Sequence, residues 1–403
     1  MTASGEGARQ VVSAAAIPPG VYPVDAVHIH AAAVMVFAVK FEIAFLKLEF
    51  SRQPKTVAAC RQAADLLTQR GWRQADLIAA LAVGLGGLSE NGERRAVQVN
   101  VVEHFHFPHP RRNWGWGDSR LRGIWLTHGH EDHIGAIPFL LGAVNVPVYG
   151  TALTLGFVSN KLQEHKLLDV ARLYEAKSGV PLELGDFKVE FIRMPHSIPD
   201  ASGLVIKTPV GTVVMTGDFK FEQAPIDGER VDMSRLVRVG DEGVLVALVD
   251  VTNVEKQGYT PSEAIVAETF ERIFATAPGR IIVAAFASNI NRVQMVYNVA
   301  VRHGRRVALV GRSMAENCRI AEELGYLTVP EGAKLRPEEI EQSDPKDVVI
   351  VTTGSQGEPL SALSKMAVEE HKHVKIGEGD TVVISATPIP GNEDLVLRTI
   401  NRL

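Results

Sequence analysis

Four side chains able to bind a metal ion, His128, His130, Asp132 and His133, fall within six residues of this chain. They follow directly on the apolar run GIWL (123–126), inside the stretch WLTHGHEDHIGAIPF (125–139). An apolar run of this length reads as a buried strand that delivers its ligands on the turn beyond it. Spacing then sets how the ligands divide. On an extended or turning backbone His128 and His130 project to one side and can share an ion, while Asp132 and His133 are displaced towards a second. Imidazole nitrogen and carboxylate oxygen suit zinc, which brings the proton loss of a bound water close to neutral pH. The chemistry implied is hydrolysis. The bland alternative is a solvated, His-rich turn, which so tight a set disfavours.

Two later strand ends add ligand types. The stretch 187–193 (FKVEFIR) alternates with period two and runs into His196, and a hairpin expected over 203–207 and 212–215 ends at Asp218. A carboxylate such as Asp218 can bridge two cations about 3.5–4 Å apart. Other histidines fit less well. No Asp-His follows the pair His28 and His30, and His371 and His373 lie in the charged stretch EEHKHVK (369–375), which reads as a solvated face.

The elements that position these residues are legible in part. Over 34–50 the alternation is imperfect and suggests one strand with a register slip; 54–70 reads as a helix, and LAVGLGGLSE (81–90) as a strand entering a glycine-rich turn. Such a turn could cradle phosphate, although glycines alone are weak grounds. After the ligand turn, a helix over 136–142, a strand over 146–150 and a helix over 152–165 alternate as in an α/β layered fold. From about residue 261 the texture becomes repeated helix and strand: helices over 262–274, 291–303 and 313–324, and Val- and Ile-rich strands over 280–285, 306–310, 348–353 and 380–385. This predicts a mostly parallel sheet flanked by helices. Between Arg272 and Arg319 eight arginines (Arg272, Arg280, Arg292, Arg302, Arg305, Arg306, Arg312 and Arg319) stand against a single glutamate, Glu316. They are either solvated helix faces or, where several converge, phosphate contacts.

Composition sets outer bounds. With 403 residues, 46% of them hydrophobic, the chain can bury a substantial core and form two domains. Cys60 and Cys318 are too few and too distant for a disulfide framework or a cysteine zinc site, which fits a reducing cytoplasm. No apolar run approaches the roughly 20 residues of a membrane span, and no secretory signal is evident at the N-terminus. A net charge of -5 excludes a uniformly basic surface but not a local nucleic-acid groove.

The set His128, His130, Asp132, His133, His196 and Asp218 resembles the zinc signature of the metallo-β-lactamase superfamily. The stretches VDVTNVE (249–255), GYTPSE (258–263), FASNINRVQ (286–294), GRSM (311–314), TGSQGEP (353–359) and ISATPIPGNE (384–393) narrow the resemblance to ribonuclease J, a bacterial nuclease of the β-CASP branch. It covers roughly residues 120–403. The resemblance implies a metallo-β-lactamase αββα sandwich, incomplete, over 81–255, an inserted β-CASP α/β domain over 256–403, and an atypical region over 1–80. It assigns His128, His130 and His196 to one zinc, Asp132 and His133 to a second, and Asp218 between them, with Asp132 and Asp218 the catalytic carboxylates. The implied activity is cleavage of RNA phosphodiesters, endonucleolytic and 5′-to-3′ exonucleolytic, favouring a 5′-monophosphate. Asp250, Ser288, Arg292, Ser313, Ser355, Gln356 and Glu358 are the expected RNA-path residues; turns of an α/β sheet are their bland reading. The family is cytoplasmic and homo-oligomeric.

Two departures from the family pattern bear on activity. The turn GGLSE (86–90) matches, but the interval before the zinc motif is short and its aspartate, Asp118, stands in an unrelated context, which suggests a shifted frame or a deletion over about 91–120. In the family a Gly-His loop and a further zinc-ligand histidine lie beyond the position of Leu403, so a weak second metal site and impaired turnover are expected. The competing readings are a non-catalytic RNA-binding remnant and a small-molecule thioester or lactam hydrolase.

Overall fold

The computed structural model describes residues 123–252, 257–389 and 391–403, together with the backbone of three earlier strands. The chain divides into two units. The first comprises Met1–Met194, Asp200–Phe221 and Val231–Gly258; the second comprises Pro195–Pro199, Glu222–Arg230 and Tyr259–Leu403.

In the first unit, β1 (Val34–Ala38), β2 (Glu42–Leu46), β3 (Ala79–Leu81), β4 (Gly123–Trp125), β5 (Val148–Gly150) and β6 (Leu173–Glu175) form a sheet of order β2-β1-β3-β4-β5-β6. The single slipped strand expected over 34–50 is instead an antiparallel pair, Val34 opposite Leu46 and Ala38 opposite Glu42, so the broken alternation marks a chain reversal. The helix expected over 54–70, the glycine-rich turn, His28, His30 and the stretch 91–120 lie outside the described residues. Strands β7 (Leu182–Leu184), β8 (Phe187–Arg193), β9 (Ser202–Thr208), β10 (Gly211–Met215) and β11 (Val246–Leu248) form a second sheet, antiparallel except for the parallel β10–β11 pair.

Period-two burial stacks the two sheets. Phe187, Val189 and Phe191 of β8, Leu204 and Ile206 of β9, and Val213 and Met215 of β10 share one core with Trp125 of β4, and Tyr149 of β5 packs against it. Residues of opposite parity, Ile192, Val205 and Val214, face the helix Met233–Glu242, which inserts Val239 among them. That helix was not evident in the sequence. On the same face Glu190 is buried and held bidentate by Arg235 of the helix, at 2.6 and 2.5 Å. The helix Ala152–Glu164 packs on β5 and β6 of the first sheet. The layers are thus helix, sheet, sheet, helix, the αββα arrangement expected.

The second unit is built on β12 (Ile281–Ala284), β13 (Arg306–Val310), β14 (Val348–Thr352) and β15 (Thr381–Ile384), all parallel in the order β13-β14-β12-β15. Strands buried on both faces need no alternation, which is why they read as continuous Val and Ile runs. The helix Ile290–Arg302 packs on β13 and β14, burying Val293, Val296 and Tyr297. Glu222, also buried, accepts from the Ser262 hydroxyl (2.6 Å) and from the amides of Glu263 (2.9 Å) and Ala224 (3.0 Å), tying 222–230 to this unit.

Candidate metal centre

The ligand-bearing turn leaves the C-terminal end of β4. Leu126 donates its amide to Tyr149 of β5 (2.8 Å), and the Thr127 carbonyl accepts from Ser202 of β9 (2.9 Å), so both sheets hold the turn. His130 then begins a one-turn helix, Glu131–Ile134, its carbonyl accepting from His133 (3.0 Å) and Ile134 (3.1 Å). That turn of helix brings His133 back beneath His128: the ring centroids are 3.9 Å apart, and those of His128 and His130 are 4.7 Å apart. The Thr127 hydroxyl lies 3.1 Å from Nδ1 of His128 and orients that ring.

A carboxylate arrives from the other sheet. The parallel register of β10 and β11, Met215 opposite Leu248, places the turns carrying Asp218 and Asp250 side by side. Thr216 stitches them: it donates its amide to Leu248 (2.9 Å), and its hydroxyl accepts from the Asp250 amide (3.0 Å). At φ +61°, Gly217 has the left-handed conformation that glycine tolerates best, and a Cβ there would stand 3.0 Å from both the Ser202 carbonyl oxygen and Thr127 Cβ. The Asp218 turn therefore packs directly on the residue before His128.

His128, His133 and Asp218, all of the first unit, offer ligand atoms within 4.8 Å of one another. His196 stands on the eight-residue loop between β8 and β9, bridged by the Met194 amide on the Ala201 carbonyl (3.1 Å). Asp132 is half exposed at the rim, its Oδ2 3.6 Å from Nε2 of His133.

His133 indicates that the site suits a cation. Its side chain is fully buried, yet neither ring nitrogen has a hydrogen-bond partner among the described residues; Asp218 Oδ2, at 3.4 Å from Nε2, is too far for a good bond. Burial alone would push this imidazole's pKa down, but the carboxylates of Asp218, Asp132 and Asp250 outweigh burial and hold it above the usual value. A field that draws a proton into an apolar interior also draws a metal ion. Two imidazoles and a carboxylate are a nitrogen and oxygen donor set of the kind zinc accepts.

Several expected RNA-path residues have internal partners. Arg292 is buried, bound to Glu263 Oε2 (2.6 Å), to the Ser385 carbonyl (3.0 Å) and to the Ser385 hydroxyl. Gln356, also buried, donates to the Thr387 carbonyl (3.1 Å) and accepts from the amide of Ile389 (2.7 Å) and the side chain of Asn392 (3.4 Å), which latches 387–392 to the loop after β14. Ser355 is buried, Ser288 and Asp250 are half-buried, and Ser313 and Glu358 are exposed. One Asp250 oxygen caps its own turn through the Thr252 amide (2.9 Å) and hydroxyl (2.6 Å). Others of the eight arginines also have partners within the protein: Arg280 with Asp380, Arg302 with Glu271, Arg319 with Glu316 and Glu323, and Arg305 with the carbonyls of Ala277 and Gly279. Thr127, Thr216 and Gly217 were not singled out from the sequence; their place inside the two ligand motifs was the available signal.

Residues 91–284 match the metallo-β-lactamase superfamily, and residues 278–403 match the ribonuclease J β-CASP domain. The chain is similar to ribonuclease J of Thermus thermophilus, 48% identical over 291 residues covering 70% of this chain and 51% of that protein. It is 43% identical over 286 residues to ribonuclease J of Helicobacter pylori strain J99, covering 71% and 41%. To ribonuclease J2 of Bacillus subtilis it is 41% identical over 285 residues, covering 71% and 51%. The chain spans about half the length of the curated relatives it matches. No helix among the described residues is long and apolar enough to cross a membrane.

Proposed function

Because the chain belongs to the ribonuclease J family of metallo-β-lactamase, β-CASP proteins, we propose that it carries the zinc-dependent centre of a ribonuclease that hydrolyses RNA phosphodiesters. The observation carrying this reading is the convergence of His128, His133 and Asp218 from two sheets, with both buried ring nitrogens of His133 lacking a hydrogen-bond partner among the described residues. His128, His130 and His196 would hold one ion and His133 and Asp132 the other, with Asp218 between them. When bound, such ions supply a deprotonated water at neutral pH and neutralise charge on the phosphodiester.

The chain's own residues do the rest. Thr127 fixes the His128 ring, and a fixed ring keeps its ligand nitrogen in one place. The buried histidines exclude bulk water, which strengthens every charge interaction with the phosphate. Asp132 is half exposed, so it is the carboxylate placed to pass the proton of the attacking water to solvent. A phosphorus–oxygen bond forms to that water as the bond to the leaving ribose oxygen breaks. The family's combined endonuclease and 5′-to-3′ exonuclease action, with a preference for a 5′-monophosphate, is the activity we assign; Ser313 and Glu358 are the exposed residues on the expected RNA path.

The test pairs metal analysis of the full chain with cleavage of end-labelled RNA bearing either a 5′-monophosphate or a 5′-triphosphate. The expected result is bound zinc and slow digestion that prefers the monophosphate; His133→Ala should abolish the digestion and lower the zinc content without removing the ion assigned to His128, His130 and His196. RNA bound but never cut would favour a non-catalytic role; thioester hydrolysis without RNA cleavage would favour a small-molecule hydrolase.

A further inference from the structure

Asp200 lies near the end of the loop between β8 and β9 and belongs to none of the ligand groups. Its backbone is left-handed, with φ +58°, a conformation that a residue with a Cβ adopts only when its surroundings hold it there. Those surroundings are visible. The carboxylate is buried and accepts from the Leu153 amide at 2.9 Å, so it caps the helix Ala152–Glu164 from 47 residues away. The helix needs that cap, because its own N-cap, Thr151, makes no side-chain capping bond. A carboxylate there also meets the positive end of a 13-residue helix.

Asp200 is joined to the metal turn by two routes. Its carbonyl accepts from the Ser202 hydroxyl (3.1 Å), and the Ser202 amide donates to Thr127 (2.9 Å), whose own hydroxyl orients His128. Farther along the capped helix, Lys161 pairs with Glu131 at 2.5 Å, inside the one-turn helix that carries Asp132 and His133. One end of the helix thus holds the start of β9, and its other contact is a surface pair beside the second half of the ligand motif.

We propose that Asp200 is a positioning residue for the metal centre: its left-handed backbone and its capping bond to Leu153 together set the start of β9 at Ser202 and, through Thr127, hold the His128 ring in coordinating position. This rests on the zinc-site reading above. Two separable features are combined in one side chain. Asparagine keeps both, since it tolerates the left-handed region and its amide oxygen can accept the Leu153 bond; glycine keeps the backbone alone; alanine keeps neither.

The experiment titrates zinc into the metal-free full chain and its variants, with thermal unfolding measured alongside. Outer partners of metal ligands contribute about 10-fold to 100-fold in affinity. Asp200→Ala should weaken zinc binding by about that factor, Asp200→Gly by less, and Asp200→Asn should bind close to wild type. Val239→Ala is the stability control, because Val239 is buried against the opposite sheet face; it should lower the unfolding temperature and leave zinc affinity unchanged. If Asp200→Ala loses stability as the control does but binds zinc like wild type, the positioning role is overturned while the metal centre stands. If the wild-type chain binds no zinc, the centre and this inference fall together.

Discussion

Gly217→Ala separates the two demands that the metal centre places on one turn. A residue with a Cβ in the left-handed region costs about 1–2 kcal/mol relative to glycine. At Gly217 the added methyl group would also stand 3.0 Å from the Ser202 carbonyl oxygen and 3.0 Å from Thr127 Cβ, both part of the backbone brace that holds the two sheets' ligands together. Overpacking of that kind adds about 1–3 kcal/mol, for a total of about 2–5 kcal/mol. Gly179 supplies the comparison: its φ is +78°, but a Cβ there would meet nothing within 4 Å, so Gly179→Ala should cost only the backbone part, about 1–2 kcal/mol. Urea unfolding of the metal-free chain, followed by tryptophan fluorescence, reads the correct unit, since Trp125 is buried in its core and residues 195–403 contain no tryptophan. Zinc titration gives the second readout: Gly217→Ala should weaken binding by displacing Thr127 and Asp218, and Gly179→Ala should not. Equal losses of stability in the two variants, or an unchanged zinc affinity in Gly217→Ala, would refute the claim that this turn is packed against the His128 loop for coordination.

Other parts of the structure make their own predictions. Arg235→Ala strands the buried Glu190 carboxylate and should cost about 3–5 kcal/mol, whereas Glu190→Leu combined with Arg235→Met should be nearly neutral in the same urea assay; a cheap single variant would contradict the buried pairing. Cys318 is buried beside Met314, and burial pushes its thiol up to about 12, so in a Cys60→Ser background a thiol reagent at pH 8 should label it only after denaturation. Rapid labelling of the native chain would place that helix face in solvent. Gln356→Ala removes the latch on 387–392, and hydrogen exchange at the Ile389 amide should accelerate while that of β14 is unchanged. Chelation should lower the unfolding temperature: a metal at about 100 times its dissociation constant stabilises the folded chain by about 2.7 kcal/mol. A midpoint indifferent to zinc and chelator alike would argue against a native-state metal.

Much of the scaffold was legible because local pattern and final environment agree. FKVEFIR alternates as a strand between a sheet core and a helix must, and the Val and Ile runs at 281–284 and 348–352 are continuous because both faces of that parallel sheet are covered. The ligands were legible for a related reason, since each sits one short turn beyond a strand end. Short edge elements such as β6 and β7, at three residues each, have too few residues to show any period.

What the sequence concealed were partners. Arg292 and Gln356 have the residue types and loop positions of RNA contacts, yet one is bound to Glu263, 29 residues away, and the other to a loop more than 30 residues on. Arg280 finds Asp380 across 100 residues. A guanidinium or an amide declares in the sequence only that it needs partners; burial decides whether they are phosphates or the protein's own carboxylates and carbonyls, because an unpaired polar group inside costs about 1–3 kcal/mol and the fold supplies a bond wherever it can. His133 stands apart for the charges that surround it. Among the described residues it is as deeply buried as any polar side chain, its ring nitrogens have no hydrogen-bond partner, and three carboxylates converge on it. Asp218 Oδ2 at 3.4 Å and Asp132 Oδ2 at 3.6 Å from the same ring nitrogen make this the buried polar group on which a bound cation would act most directly.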